Sequence, residues 1–202
     1  MSDCHSSSHT GLLPNPTIPV PHSATDRPLV VAIVGPPNSG KSTLFNRLTG
    51  LRQKVANFPG VRVEHRMGKA RLKDRHEVFL IDLPGVYSLH PRSEDEQVTH
   101  DILKGERTDF AKPDAVILIL DSTNLGRHLV LAAPILSLGL PTLSLLNMAD
   151  DLKQRGGEVD VGALSQELGS PVALISASKG IGIDRIQQFL AGTAANLSGA
   201  KP

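Results

Sequence analysis

One short stretch constrains the fold of this chain more than any other: residues 35–43, which read GPPNSGKST. The unbroken apolar run 29–34 comes directly before it and predicts a buried strand. After it, Leu44, Leu48 and Leu51 recur at the spacing of one helix face. A glycine-bounded loop with GKS at a helix start, between a strand and that helix, is the phosphate-binding loop pattern G-x-x-x-x-G-K-[ST].

The residue types of this loop suit a bound phosphate. Glycines let backbone N–H groups turn inward around an anion, and the helix N-terminus adds partial positive charge. Lys41 is then placed to reach the β- and γ-phosphates of a nucleoside triphosphate. The Ser42 hydroxyl is placed to ligate Mg²⁺.

The composition predicts one intracellular globular domain. The 202 residues suffice for one substantial domain. Lys+Arg number 21 and Asp+Glu 20, so no bulk charge favours nucleic acid as a partner, and an aromatic content of 3% disfavours base stacking. A single cysteine suits a reducing cytoplasm, and the absence of a long apolar run or an N-terminal signal predicts a cytoplasmic location.

Alternating strand and helix patterns divide the chain into three parts. Residues 1–28 are rich in Ser and Pro and predict a disordered or loosely docked arm. Residues 29–195 are the predicted nucleotide-binding domain, and 196–202 a C-terminal tail. Within the domain, strands are predicted at 29–34, 62–72, 77–81, 115–120, 141–146 and 171–175, and helices at 42–49, 93–104, 127–138, 161–168 and 182–195.

The strand composition predicts the fold class. Runs such as VILIL and LSLL are apolar throughout, which indicates a sheet covered on both faces. Residues 62–81 instead predict a hairpin, which adds one antiparallel edge strand. We therefore expect an α/β three-layer sandwich of the P-loop GTPase type, with about six mostly parallel strands.

Two downstream motifs fit the same nucleotide site. The run EVFLIDLPG ends an apolar strand with Asp82, followed by Gly85. An acidic residue there can hold Mg²⁺ through water, and a glycine N–H can contact the γ-phosphate. The run LSLLNMAD ends another strand with Asn147 and Asp150. A carboxylate accepts from both N1–H and N2–H of guanine, a pair of donors that adenine lacks.

The last predicted strand ends in Ser176, Ala177 and Ser178. Since ligands gather at the carboxyl ends of parallel strands, the Ala177 N–H is placed to donate to guanine O6. Asn147 is expected to brace the loop and contact the purine. Together the motifs predict a domain that binds GTP and GDP with Mg²⁺.

The order GPPNSGKST, DLPG, NMAD and SAS resembles the translation-factor-like branch of small GTPases. More narrowly, NFPGVRVEHRMG, DLPGVYSLHPRSEDEQV and DSTNLGRHLVLAAPILSLGLP resemble the cytosolic G domain of the ferrous iron transport protein B (FeoB) family. The resemblance runs from Leu29 to about Leu190. It implies a GTP-hydrolysing switch linked to ferrous iron transport, at the cytoplasmic face of the inner membrane and partnered by a membrane transporter region.

The resemblance also implies roles for individual residues. Asn38 matches an asparagine that holds K⁺ beside the phosphates in potassium-activated relatives. Val86 stands where Ras-like proteins carry a water-positioning glutamine, so slow intrinsic turnover is expected. Asn38, Lys41 and Gly85 are the expected catalytic residues, and Ser42 and Asp82 the expected Mg²⁺ ligands. The expected nucleotide-binding residues are Pro37, Asn38, Ser39, Gly40, Lys41, Ser42, Thr43, Asp82, Gly85, Asn147, Met148, Asp150, Ser176, Ala177 and Ser178.

One position departs from the family pattern. The first switch of the family reads approximately G-V-T-V-E, and here GVRVE puts Arg62 in place of the magnesium-binding threonine. A guanidinium cannot ligate Mg²⁺. Three interpretations stay open: Arg62 prevents normal closure of the switch, Arg62 pairs with phosphate oxygens, or Arg62 points to solvent while a carbonyl or water replaces the threonine.

The family's helical regulatory domain and membrane transporter region are not in this sequence. It is thus either a piece of a larger protein or a separate G domain. Besides a GTP-hydrolysing switch, two other functions stay open: a nucleotide sensor with little hydrolysis, and a ribosome- or RNA-associated GTPase. The near-neutral charge argues against the last.

Overall fold

The computed structural model describes residues 28–50, 53–57, 63–73 and 76–199. The strands in these ranges are β1 (Leu29–Val34), β2 (Gln53–Asn57), β3 (Glu64–Arg71), β4 (Glu77–Asp82), β5 (Ala115–Asp121), β6 (Thr142–Asn147) and β7 (Val172–Leu174). The α-helices are α1 (Lys41–Thr49), α2 (Glu94–Lys104), α3 (Leu125–His128), α4 (Ala132–Leu136), α5 (Ala149–Gln154), α6 (Val161–Leu168) and α7 (Ile183–Gly199). Two short 3₁₀ segments are Ser122–Asn124 and Leu129–Leu131.

The strands of this described part form one sheet in the order β2-β3-β4-β1-β5-β6-β7. The pairs β2–β3 and β3–β4 are antiparallel, and the remaining neighbours are parallel. The predicted α/β fold is therefore confirmed. The predicted antiparallel strand β3 does not lie at the edge, however, because β2, which the sequence did not predict, covers it.

Both faces of the sheet are buried, as the continuous apolar runs predict. Every residue of β1, β5 and β6 is buried. Because successive side chains of a strand point to opposite faces, the odd-numbered residues of β1 pack into one core with α1 and α7. The even-numbered residues pack into a second core with α2, α4 and α6. The result is a three-layer sandwich.

Local sequence explains where several helices begin and end. The Ser93 hydroxyl accepts from the Glu96 N–H at 3.2 Å, and the Glu96 carboxylate accepts from the Arg92 N–H at 3.1 Å. Asp160 caps α6 by accepting from the Ala163 N–H at 2.9 Å. Gly169 ends that helix in the left-handed region, with φ 61°.

The helices differ from the predicted ones mainly in three respects. The helix expected over 127–138 is divided into α3, a 3₁₀ turn and α4, and α4 contains Pro134, which has no N–H to continue a long helix. The short helix α5 was not predicted. The last helix continues to Gly199, beyond the expected end at residue 195. Among the described helices, none has the length and apolar content needed to cross a membrane.

The fold brings the predicted motifs to one edge of the sheet. The parallel strands β1, β4, β6 and β7 all end there, because parallel strands share their direction. Register pairs Ile33 of β1 with Asp82 of β4. The loops that follow these strands form the candidate site.

Candidate functional site

The phosphate loop joins β1 to α1 through two glycines that no other residue can replace. A Cβ on Gly35 would lie 2.2 Å from the Ile119 carbonyl oxygen. A Cβ on Gly40 would lie 2.1 Å from Asn147 Nδ2, and Gly40 has φ 88°. Asn38 also has positive φ, 62°, a conformation that asparagine tolerates better than most residues. The loop is therefore tightly held against β5 and β6.

Lys41 and Ser42, the first residues of α1, both contact Asp82 at the end of β4. Lys41 Nζ lies 3.1 Å from Asp82 Oδ1, and Ser42 Oγ donates to Oδ2 at 3.2 Å. The side chains of Lys41 and Asp82 are 12% and 5% exposed, so the pair is largely shielded from water. Each charge compensates the other in an environment where an unpaired charge is costly.

The Ser42 hydroxyl oxygen and a carboxylate oxygen of Asp82 suit a magnesium ion. Hydroxyl and carboxylate oxygens are the ligand types that Mg²⁺ takes in nucleotide sites. Ser42 Oγ and a carboxylate oxygen of Asp82 already converge within 3.2 Å at the start of α1. The residues present therefore fit the ion.

Asn38 is exposed on the loop and offers an amide oxygen, the kind of ligand that a monovalent cation accepts.

The loop after β4 is packed against the phosphate loop. The Val86 N–H donates to the Gly35 carbonyl at 3.2 Å, and the Leu83 N–H to the Ile33 carbonyl at 3.1 Å. A Cβ on Gly85 would come within 3.1 Å of Pro37 backbone atoms. Gly85 thus lies directly beside the phosphate loop, while the Val86 side chain is only 2% exposed.

Asn147, at the end of β6, connects two loops of the site. Its Nδ2 donates to the Ser39 carbonyl at 2.9 Å, and its Oδ1 accepts from the Ala177 N–H at 2.9 Å. The residue is 4% exposed. Asn147 thus braces the phosphate loop, and the same amide also holds the loop after β7.

The loop after β7 is closed and compact. Backbone bonds in both directions between Ser176 and Ile181, each 3.1 Å, bracket residues 177–180. The sequence predicted that the Ala177 N–H would donate to guanine O6. In the structure this N–H already donates to the Asn147 amide oxygen, which lies next to it. Ser176 and Ser178 hydroxyls face each other at 3.3 Å.

Asp150 lies in the first turn of α5, and Met148 before it has φ 65°. The Asp150 carboxylate forms an ion pair with Lys179, whose Nζ lies 3.0 Å from Asp150 Oδ2. Hydrogen bonding from the Ser176 hydroxyl, and then from Lys179, lowers the pKa of Asp150 below its ordinary value. The side chain that the sequence assigned to the base is thus an ionised acceptor at neutral pH.

The remaining predicted residues are placed around these contacts. Ser39 is fully buried, and Thr43 is exposed on α1. Arg62 lies outside the described residues. Two residues of the site were not predicted from the sequence: Lys179, and Arg47, which donates to the carbonyls of Ala177 and Ser178. The flanking of SAS by a lysine was a visible signal for Lys179; for Arg47 the sequence offered only a basic residue in the last turn of α1.

A glycine-bounded loop at a helix N-terminus, at the carboxyl edge of a sheet covered on both faces, defines the class of P-loop nucleotide-binding α/β domains. A family model described as ferrous iron transport protein B matches residues 29–190. The chain belongs to the ferrous iron transport protein B family.

A curated relative agrees with this assignment. The Fe(2+) transporter FeoB of Salmonella typhimurium is 43% identical over 164 residues, which are 79% of this chain and 20% of the relative. The chain therefore spans about one fifth of the length of the curated relatives it matches.

Solved structures give the same result. The cytosolic domain of T. maritima FeoB in its GDP form II is 37% identical, with a TM-score of 0.76 over 83% of this chain and 64% of that one. The same domain in its GMPPNP form is also 37% identical, with a TM-score of 0.76 over 82% of this chain and 64% of that one.

The bridging contacts of Asn147 generate a stability prediction. Asn147→Ala leaves the Ser39 carbonyl and the Ala177 N–H without their partner, and we expect the nucleotide-free protein to lose about 2–4 kcal/mol, or roughly 5–15 °C in Tm. Differential scanning calorimetry measures this loss. Asn196→Ala, at an exposed asparagine of α7, is the matched control and should leave Tm nearly unchanged. A Tm for Asn147→Ala equal to that of the control would show that the amide bridge contributes little.

Proposed function

We propose that this chain is the GTP-binding domain of a ferrous iron transporter, and that it hydrolyses GTP to GDP as a molecular switch. The observation that carries the proposal is the arrangement of Lys41, Ser42 and Asp82 opposite Asn147 and Asp150 at one edge of the sheet. The relatives in GDP and GMPPNP forms support it. The switch segments are 51–64, part of which lies outside the described residues, and 82–98.

At the phosphate end, the backbone N–H groups of residues 38–43 and the N-terminus of α1 surround the phosphates. Lys41 exchanges Asp82 for β- and γ-phosphate oxygens, so that its ammonium gains an anionic partner in place of the one it leaves. Ser42 and Asp82 hold Mg²⁺, directly or through water. When bound, that ion neutralises charge that develops on the phosphates during hydrolysis.

At the base end, Asp150 accepts from guanine N1–H and N2–H. Lys179 occupies Asp150 Oδ2 in the structure, so guanine takes this oxygen in competition with an exposed ammonium. Asn147 and Met148 line the purine, and Ser176 and Ser178 border it. The Ala177 N–H donates to O6 by sharing its hydrogen with Asn147 Oδ1, as a three-centre bond.

The chemical step uses Asn38, Lys41 and Gly85. Asn38 would help hold K⁺ beside the phosphates, and the charge of a bound K⁺ would serve there in place of an arginine finger. The Gly85 N–H, which lies beside Pro37, contacts the γ-phosphate. The buried, apolar Val86 cannot orient a water molecule, so intrinsic turnover is slow.

The family assignment extends the proposal to a membrane protein. The curated relatives are named Fe(2+) transporters, and this chain matches one fifth of their length. We place it at the cytoplasmic face of the inner membrane, with a membrane transporter region as its partner and ferrous ion as the transported cargo.

A second function is favoured by one observation. Because Val86 is 2% exposed and Arg62 replaces the switch threonine, the chain has neither the usual water-positioning side chain nor the usual magnesium ligand of the first switch. A nucleotide sensor that binds GTP tightly and scarcely hydrolyses it would have this combination.

Base recognition by Asp150 has a direct test. In Asp150→Asn the side chain keeps one acceptor and gains an N–H donor, which suits the 2-oxo group of xanthine. We expect the affinity for GDP to fall by about 10- to 150-fold, and that for xanthosine diphosphate to rise. Calorimetric titration with both nucleotides measures the change. The control is Asp151→Asn, at a neighbouring carboxylate that pairs with Arg155; equal GDP affinities in the two variants would contradict guanine recognition by Asp150.

Hydrolysis separates the switch from the sensor. In single-turnover assays we expect the protein to release phosphate from GTP faster in K⁺ than in Na⁺, because K⁺ supplies positive charge at Asn38. Arg62→Thr is expected to increase the rate further, since a threonine hydroxyl can ligate Mg²⁺. Arg71→Thr removes an exposed arginine of β3 and is the control for charge loss. Tight GTP binding with negligible phosphate release in both salts would favour the sensor instead.

A further inference from the structure

Arg47 extends from the last turn of α1 to the loop after β7. Its Nε donates to the Ala177 carbonyl, and its Nη2 donates to the Ser178 carbonyl at 2.6 Å. Gly180 makes room for the guanidinium: a Cβ on Gly180 would lie 2.7 Å from Nη1. One planar group therefore holds two successive carbonyls of a loop that is 130 residues away in sequence.

These bonds complete the restraint of Ala177. Its N–H donates to Asn147 Oδ1 at 2.9 Å, and its carbonyl accepts from Arg47. The peptide groups on both sides of the residue are thus fixed, one by β6 and one by α1. The pairing between Ser176 and Ile181 closes the base of the loop but does not reach Ala177 or Ser178.

We infer that Arg47 is a positioning residue for guanine recognition. It holds the loop 176–181 against α1, so that the Ala177 N–H stays within hydrogen-bonding distance of guanine O6. The inference rests on the proposed function. It adds a physical link between the two ends of the nucleotide, because α1 carries Lys41 and Ser42 at its N-terminus and Arg47 in its last turn.

The chemistry of arginine suits this role. A guanidinium presents several N–H donors in a rigid plane, so it can hold two carbonyls at once with little loss of rotamer freedom. A lysine at the same place would offer a point charge that satisfies one carbonyl at a time. The position at the end of α1 also places positive charge at the negative end of the helix dipole.

The expected consequence is a slower release of guanine nucleotides. Without the clamp, the loop can move away from the base, and the O6 contact is lost part of the time. Because Arg47 is exposed, water replaces part of what its bonds contribute, and we expect nucleotide dissociation to accelerate by about three- to tenfold in Arg47→Ala.

Stopped-flow release of a fluorescent GDP from the whole chain tests this. Arg47→Ala should release it about three- to tenfold faster than the unaltered protein, and Arg47→Lys should lie in between. Arg155→Ala removes another exposed arginine near the base site and should leave the rate unchanged. Arg47→Lys keeps the charge, so it also provides the test if Arg47→Ala fails to fold.

Two altered bases identify the contact that is affected. The diphosphate of 6-thioguanosine keeps N1–H and N2–H but has a weak sulfur acceptor in place of O6, and inosine diphosphate keeps O6 but lacks the 2-amino group. If Arg47 acts through the Ala177 N–H, Arg47→Ala reduces the affinity ratio of GDP to the thio analogue and leaves the ratio of GDP to inosine diphosphate unchanged. A merely structural role would change neither ratio.

The outcomes separate the two levels of the proposal. If the unaltered protein binds no GDP, the proposed function is wrong and the role of Arg47 falls with it. If it binds GDP, and Arg47→Ala leaves both the dissociation rate and the two affinity ratios unchanged, only the role of Arg47 is wrong.

Discussion

The candidate site depends on one buried amide. Asn147 is 4% exposed and bonds both the phosphate loop, through the Ser39 carbonyl, and the loop after β7, through the Ala177 N–H. A buried backbone group without a partner costs free energy, so removing the amide would leave two such groups behind. Gly40 is needed next to this side chain, because a Cβ there would collide with Asn147 Nδ2. Asn147 therefore links the two loops directly, and Arg47 holds the loop after β7 to α1 as a second restraint.

Near Asn147, two charged side chains form ion pairs in which a bound nucleotide can replace one partner. Lys41 pairs with Asp82, and Lys179 with Asp150. In the proposed function, phosphate takes the place of Asp82 as the partner of Lys41, and the neutral N–H groups of guanine take the place of Lys179 at Asp150. Lys41 and Asp150 therefore keep hydrogen-bond partners before and after binding. The first pair is shielded from water, whereas the Lys179 side chain is 59% exposed, so the second pair contributes less. Arg47 differs from both, because its bonds to the loop after β7 are made to neutral carbonyls, which a nucleotide does not replace.

The sequence predicted the elements whose patterns are local. The apolar runs of β1, β5 and β6 and the caps at Ser93 and Asp160 required no tertiary information. The strand β2, of sequence QKVAN, was missed because it lacks a regular apolar alternation, and α5 was missed because ADDLKQ is short and polar. Pro134 interrupts what otherwise resembles one helix from 127 to 138.

The same distinction between local patterns and tertiary contacts applies to the candidate site. Motifs predicted Lys41, Ser42, Asp82, Asn147 and Asp150 as site residues because their positions, at the end of a strand or just after one, can be read from the chain. The partners of these residues could not be predicted, since Asn147 and Ala177, or Arg47 and Ser178, meet only when the sheet has formed. The lowered pKa of Asp150 likewise depends on Ser176 and Lys179, which come from another loop.

The central claim is that this edge of the sheet selects a guanine nucleotide. It is tested most directly by equilibrium displacement of a fluorescent GDP from the purified chain in Mg²⁺, with unlabelled GDP and ADP as competitors. The account predicts displacement by GDP at concentrations near its own Kd and no displacement by ADP at a hundredfold excess. Equal displacement by the two nucleotides, or no binding of the probe, would contradict it.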